Sequence, residues 1–220
     1  MVLVKGGNVS SATDLARQTI RNLIELGISD FVVSPGSRNA PLSIALNEAK
    51  SHGIIELHIK LDERGAAFYA LGIAKATDKH VAVICTSGTA AANFHPALLE
   101  AWHGSNKLIA ITADRPERLR KTGANQTTDQ VGMFPNIPAF DLVSGVTFEL
   151  GNGPTHLNIQ FDEPLLPNNS NDWLTGLKIV PPKIEVESAK SLSVSGNGVF
   201  VIGHDHGTIS VADIEKFVKA

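Results

Sequence analysis

Two short apolar runs, Val81-Ala82-Val83-Ile84-Cys85 and Leu108-Ile109-Ala110-Ile111-Thr112, constrain this chain more than any other feature. A strand that is apolar at nearly every position has no face to give to water, so it belongs inside a sheet covered on both sides. Each run ends in a polar turn, and segments with helical spacing lie between the strand-like ones. A helix capped by Ser10 or Ser11 carries Leu15, Ile20, Leu23, Ile24 and Leu26 and stops at Gly27. Asp30 to Val33 reads as a strand, Pro41 to about Lys50 as a helix, and Ile54 to Leu61 as a strand. Helices are predicted from Glu63 to about Ala76 and from Ala90 to Trp102. This alternation predicts an α/β fold, a parallel sheet with helices on both faces. After Gln130 the rhythm weakens, and residues 153–161 read as one last strand.

Pro164 to Pro182 holds an excess of Pro, Asn, Ser and Asp, the composition of a linker. Beyond it, Gly198 to Gly203 reads as a buried strand and Ser210 to Ala220 as an amphipathic helix. One strand and one helix cannot bury their own apolar faces. The expected organisation is a main domain over 1–165, a linker over 166–195, and the first β-α unit of a second, truncated α/β domain over 196–220. The chain is expected to be the N-terminal fragment of a longer protein.

Composition narrows the function classes. The 19 basic and 22 acidic residues leave a net charge of −3, with no basic stripe for nucleic acid, and aromatics make up only 5% of the chain. The single cysteine, Cys85, sits in an apolar run, which excludes an internal disulfide and fits a reducing compartment. The N-terminus lacks the pattern of a signal peptide, and no apolar run is long enough for a membrane span. A soluble cytoplasmic protein is expected. His58, His80, His95 and His103 lack metal-ligand spacing. His204-Asp205-His206 has no evident third ligand and reads as a turn, so no metal site is expected within this chain. P-loop, G-x-G-x-x-G and nucleophile-elbow motifs are absent.

Ligands of open parallel sheets bind at the carboxyl ends of the strands. Four predicted strands end there in polar or charged turns: Ser34 to Arg38, Asp62 to Arg64, Thr86 to Thr89, and Asp114 to Pro116. Ser87-Gly88-Thr89 at a helix start offers free backbone N–H groups to an anion or a polar ring. Arg38 and Arg115 offer bidentate grips for carboxylates, and Asn125-Gln126-Thr127 can add amide hydrogen bonds. Glu63 opens a helix of small, mostly apolar residues, expected to be buried all round, which places its carboxylate in a dry setting that favours protonation. The plainer reading has Glu63 capping that helix and pairing with Arg64.

Taken together, Ser34-Pro35-Gly36-Ser37-Arg38-Asn39-Ala40-Pro41, the helix start Asp62-Glu63-Arg64-Gly65-Ala66-Ala67-Phe68, Cys85-Thr86-Ser87-Gly88-Thr89-Ala90-Ala91-Ala92-Asn93, and Thr112 to Leu119 with Gly123-Ala124-Asn125-Gln126-Thr127 resemble the thiamine-diphosphate enzymes. Within them the likeness is greatest to the SEPHCHC synthase family of menaquinone biosynthesis, over about residues 8–165, the pyrimidine-binding domain. The resemblance implies that Glu63 bonds the pyrimidine ring of thiamine diphosphate, with Thr86, Ser87, Gly88 and Thr89 beside it. It implies substrate binding by Ser37, Arg38, Arg115, Asn125 and Gln126. The implied reaction decarboxylates 2-oxoglutarate and adds the resulting carbanion to isochorismate, with Mg2+ held by a C-terminal domain that this sequence lacks. A homodimer or homotetramer is implied, with this fragment inactive alone. The stretch between Gly132 and Gly153 is shorter than the family's usual segment. Another thiamine-diphosphate carboligase of the acetolactate-synthase type, and a non-catalytic ligand-binding domain on the same scaffold, are the alternatives.

Overall fold

The runs that are apolar almost throughout become β3 (Val81–Cys85) and β4 (Leu108–Asp114), buried at every position, as is β6 (Thr155–Gln160). A computed structural model describes residues 11–144, 148–167, 169–180, 199, 201 and 209–219. The chain divides into two compact units, Met1–Ile184 and Glu185–Ala220. In the first unit, β1 (Asp30–Val33), β2 (Glu56–Ile59) and β5 (Ala139–Leu142) complete a six-stranded sheet in the order β2-β1-β3-β4-β6-β5. Every pairing is parallel. The strand order turns back between β1 and β3, and a ligand crevice opens at such a point, beyond the carboxyl ends of the strands.

Helices cover both faces, the arrangement the alternation predicts. On one face, α1 (Ala12–Glu25) and α2 (Ala40–Ser51) pack over Phe31, Val33, Ala82, Ile84, Ile109, Ile111, Leu157 and Ile159. Ser11 caps α1 by accepting the Asp14 N–H at 3.1 Å, and Gly27 lets the chain leave it at a φ of 84°. On the other face, α3 (Glu63–Thr77) and α5 (His95–His103) pack over Val32, Val81, Val83, Cys85, Leu108 and Ala110. The single helix predicted from Ala90 to Trp102 is instead two, a short α4 (Thr89–Ala92) and α5. Pro96 has no N–H to continue the first helix, so a second one starts around it.

Three further expectations change. The predicted strand from Ile54 to Leu61 shrinks to β2, an edge strand with Ile59 and Leu61 exposed, because only one side of it has a sheet partner. Helix α3 is buried on one face only: Ala66, Ala67, Ala70, Leu71 and Ala74 meet the sheet, while Phe68 and Tyr69 are 45% and 40% exposed. The sheet can cover only one side of a helix, and among the described residues nothing covers the other. Strand β5 arises in the shortened stretch after Gly132, where no strand was expected; its Phe140 faces Phe148 at 6.5 Å.

The segment with linker composition runs across α1 and α2. Trp173 Nε1 donates to Glu48 at 2.6 Å, Arg17 donates to Asn169 Oδ1 at 2.7 Å, and Leu165, Leu174 and Leu177 pack against the α1–α2 core. In the second unit, α6 (Val211–Lys219) is capped reciprocally: Ser210 Oγ accepts the Asp213 N–H while Asp213 accepts the Ser210 N–H. The predicted strand at 198–203 (apart from positions 199 and 201) and His204-Asp205-His206 lie outside the described residues. Among the described residues, no helix is long and apolar enough to cross a membrane, and no His, Cys, Asp and Glu group has metal-binding geometry.

Candidate active site

The turns after β1, β3 and β4 interlock at the carboxyl edge. Gly36 lies so close to the β3 turn that a Cβ on it would sit 2.5 Å from Thr86 Cβ, so only glycine lets the two turns meet. Thr86 Oγ1 accepts the Arg38 N–H at 3.3 Å, and Asn39 closes the β1 turn by donating to the Ser34 carbonyl at 2.9 Å. Gly88, at a φ of 80°, is pressed against the backbone of Gln126, which a Cβ would meet at 3.1 Å. Arg115 ties these parts together, donating to Ser87 Oγ and to the Gln126 carbonyl, both at 3.0 Å.

Two cations converge here. Arg38 donates to the Phe161 carbonyl and to the exposed Glu163, both at 3.2 Å, and its buried Nε has no partner among the described residues. Burial first, and then the Arg38 charge, draw the Arg115 pKa below its ordinary value. Two guanidinium groups held within each other's field, with donor capacity left over, have the chemistry to receive a carboxylate or another anion. Ser37 and Asn125 lie exposed beside them.

The free N–H groups expected along Ser87-Gly88-Thr89 are not all free. The Gly88 N–H donates inward, to Gln130 Oε1 at 2.8 Å, so it cannot serve an anion. Thr86, Ser87 and Gly88 are buried and Thr89 is exposed, and the four-residue α4 behind them is too short to act as a dipole.

Glu63 does not cap α3. Asp62 does, accepting the Gly65 N–H at 2.7 Å. The Glu63 side chain makes no hydrogen bond or ion pair to Arg64 or to any other described residue, and the residue is half-buried rather than dry. Its charge reaches Cys85, whose thiol pKa is raised well above the usual range by burial and then by Glu63. The structure thus gathers Arg38, Thr86, Ser87, Gly88, Arg115 and Gln126 into one cluster. Glu63 stands at the same edge near the end of β3, with no contact to either arginine.

Sequence reasoning missed the layer beneath. Asn158 uses its whole amide: Nδ2 donates to Asp114 at 3.0 Å and to Asp141 at 2.9 Å, while Oδ1 accepts from Thr112 and from Gln130, both at 2.9 Å. Asp114 also accepts the Arg115 N–H at 2.7 Å, and Arg120 pairs with Asp114 and Asp141 at 2.9 and 3.0 Å. The available signal was polar residues at alternate positions of two otherwise apolar strands: Thr112 and Asp114, then His156, Asn158 and Gln160.

Comparison with known proteins bears on this edge directly. Residues 13–133 match the thiamine pyrophosphate enzyme family, N-terminal TPP binding domain. The chain belongs to the thiamine pyrophosphate enzyme family. It is 49% identical, over 201 residues, to the 2-succinyl-5-enolpyruvyl-6-hydroxy-3-cyclohexene-1-carboxylate synthase of Nocardioides sp., an alignment covering 90% of this chain and 36% of that protein. Synthases of the same name are 41% identical in Lysinibacillus sphaericus, covering 94% of this chain and 41% of the relative, and 36% identical in Arthrobacter sp., covering 98% and 39%. The chain spans little more than a third of the length of these curated relatives. Its alignment with the Arthrobacter protein runs over 242 positions, more than its own 220 residues, so that relative carries residues this chain lacks. For a thiamine pyrophosphate enzyme, the placement is economical: every candidate residue from Ser37 to Gln126 lies inside the matched segment.

Proposed function

We propose that this chain is the pyrimidine-binding part of a SEPHCHC synthase, an enzyme that decarboxylates 2-oxoglutarate and joins the four-carbon product to isochorismate. The observation that carries the reading is the convergence of Arg38 and Arg115 at the strand-order reversal, in a chain 49% identical to a synthase of that name. Small apolar keto acids need no such pair of carboxylate grips, which sets the acetolactate-type alternative behind.

The residues present fit thiamine diphosphate. A half-buried carboxylate without a partner among the described residues, Glu63, stands beside a buried turn, which is what a pyrimidine ring nitrogen and its ring edge need. When bound, the cofactor supplies the electron sink for decarboxylation. Glu63 holds the proton at the ring nitrogen, and Thr86 to Thr89 shape the wall against the ring. Arg38 and Arg115 bind substrate carboxylates, with Ser37, Asn125 and Gln126 adding neutral hydrogen bonds around them. Mg2+ and the diphosphate fall to a further domain, so this chain alone should bind the cofactor feebly and turn nothing over. Exposed Phe68, Tyr69, Ile59 and Leu61 support a homodimer or homotetramer in which a partner covers α3 and β2. Residues 166–195 then serve as the linker and 196–220 as the start of the next domain. The lone buried Cys85 supports a cytoplasmic setting.

The test is Glu63→Gln in the intact enzyme, which keeps shape and removes the ionisable proton. Turnover should fall at least about a hundredfold, the ordinary weight of a general acid or base. Arg115→Ala should raise the KM for isochorismate and leave cofactor affinity largely unchanged. An unimpaired Glu63→Gln points to a non-catalytic ligand-binding domain, and preferential turnover of pyruvate points to an acetolactate-type enzyme.

A further inference from the structure

We propose that Gln130 is a positioning residue of this site, one that fixes the Thr86–Thr89 turn by holding the Gly88 N–H from within the fold. The proposal rests on the cofactor-binding reading above and extends it to a residue that touches no ligand. Gln130 is fully buried. Its Oε1 accepts from Gly88, while its Nε2 donates to the Ala113 carbonyl at 3.2 Å and to Asn158 Oδ1 at 2.9 Å.

The orientation of this amide is dictated from a distance. Asp114 and Asp141 are carboxylates, which only accept, so Asn158 must turn its Nδ2 toward them. That leaves Asn158 Oδ1 facing Gln130, which must answer with Nε2. The only remaining edge of the Gln130 amide is Oε1, an acceptor aimed at the Gly88 N–H. A one-way chain of donors and acceptors thus runs from the buried Asp114 at the end of β4 and the half-buried Asp141 of β5 to the backbone of the turn. The same Asp114 carboxylate accepts the Arg115 N–H, so one anchor sets both the turn and the first atom of the arginine beside it. On the outer side the turn is held by the Arg115 bond to Ser87 and by the contact of Gly88 with Gln126.

Hydrogen–deuterium exchange on the intact protein, paired with thiamine diphosphate titration, tests this. In the wild type without ligand, the peptide over residues 86–92 should exchange slowly at Gly88; fast exchange there overturns the proposal before any substitution is made. Gln130→Met keeps volume and removes all three hydrogen bonds. It should speed exchange of that peptide at least tenfold and weaken thiamine diphosphate binding about tenfold. Ile111→Ala, a comparable loss of stability on the opposite face of β4, should change neither. Cofactor affinity unchanged in Gln130→Met, or lowered equally in Ile111→Ala, overturns the positioning role. A wild type that binds no thiamine diphosphate breaks the functional reading instead, and the exchange arm then decides the anchor by itself.

Discussion

Strands β4 and β6 are buried on both sides, but the two sides cohere by different physics. Toward α1 and α2 they present Ile109, Ile111, Ala113, Leu157 and Ile159, an apolar layer with no directional demand. On the other side they present Thr112, Asp114, His156, Asn158 and Gln160, whose covering is the loop between β4 and β5 rather than a helix. A helix satisfies its own backbone and can offer side chains alone. A loop cannot, so the strand beneath must answer its polar atoms. Gln160 Oε1 accepts the Glu117 N–H at 2.9 Å, and Gln130 from the loop returns a donor to the Ala113 carbonyl. The apolar side tolerates approximate fits, whereas the polar side needs every partner present.

Neighbouring residues on the two sides give the largest expected contrast. Leu157→Met conserves volume on the apolar side and should cost less than about 1.5 kcal/mol. Asn158→Leu, also close in volume, should cost about 4 kcal/mol, because it strips Thr112 and Gln130 of an acceptor and leaves the buried Asp114 and the half-buried Asp141 each short of a donor. Urea unfolding of the two variants measures the difference, and equal costs would erase the distinction between the faces.

The polar side should also carry a pH dependence that the apolar side lacks. Thr112 has one hydroxyl hydrogen and gives it to Asn158, so at the 2.8 Å contact with His156 the imidazole Nε2–H must be the donor. His156 Nδ1 is buried with no partner among the described residues, and the ring packs edge-on to Phe134 at 4.7 Å. Burial holds the His156 pKa down at about 4, against the opposing charge of Asp141. Between that value and 6.5 the folded state binds fewer protons than the unfolded one, so stability is fully present above this window and is lost as pH falls through it. The loss is on the order of 3 kcal/mol. His156→Gln, which can still donate to Thr112, should flatten the stability profile over that window; a profile as steep as the wild type's would remove His156 as the cause.

The same contrast explains which features are legible in the amino-acid sequence. Strands β3 and β4 and helices α1, α2 and α3 were legible because apolar periodicity is a local property, and so was the carboxyl-edge cluster, since Arg38, Thr86 and Arg115 each follow a strand end. What escaped depends on partners far apart in the chain. Gln130 is 42 residues from Gly88 and Asn158 is 44 from Asp114, and nothing near Gln130 marks it as buried. Strand β5 escaped because four residues carry too little period to stand out, and the open face of α3 escaped because a run of alanines and glycines reads the same whether covered on one side or two.

The smallest expected effect is also the sharpest, since it compares adjacent residues of β4 altered by about one group each. Ile111→Val removes one methylene from the layer under α1 and α2 and should cost about 1 kcal/mol. Thr112→Val changes almost no volume, so packing alone assigns it nothing. The hydroxyl it removes accepts from His156 and donates to Asn158, and its loss leaves a buried N–H and half of a buried carbonyl unanswered. That should cost about 2 kcal/mol, more than the loss of the methylene next to it. Thr112→Ser, which loses a methyl group and keeps the hydroxyl, should then be the milder of the two Thr112 variants. If Thr112→Val proves the milder, shape rather than hydrogen bonding holds this face, and the chain of donors leading to Gly88 loses its foundation.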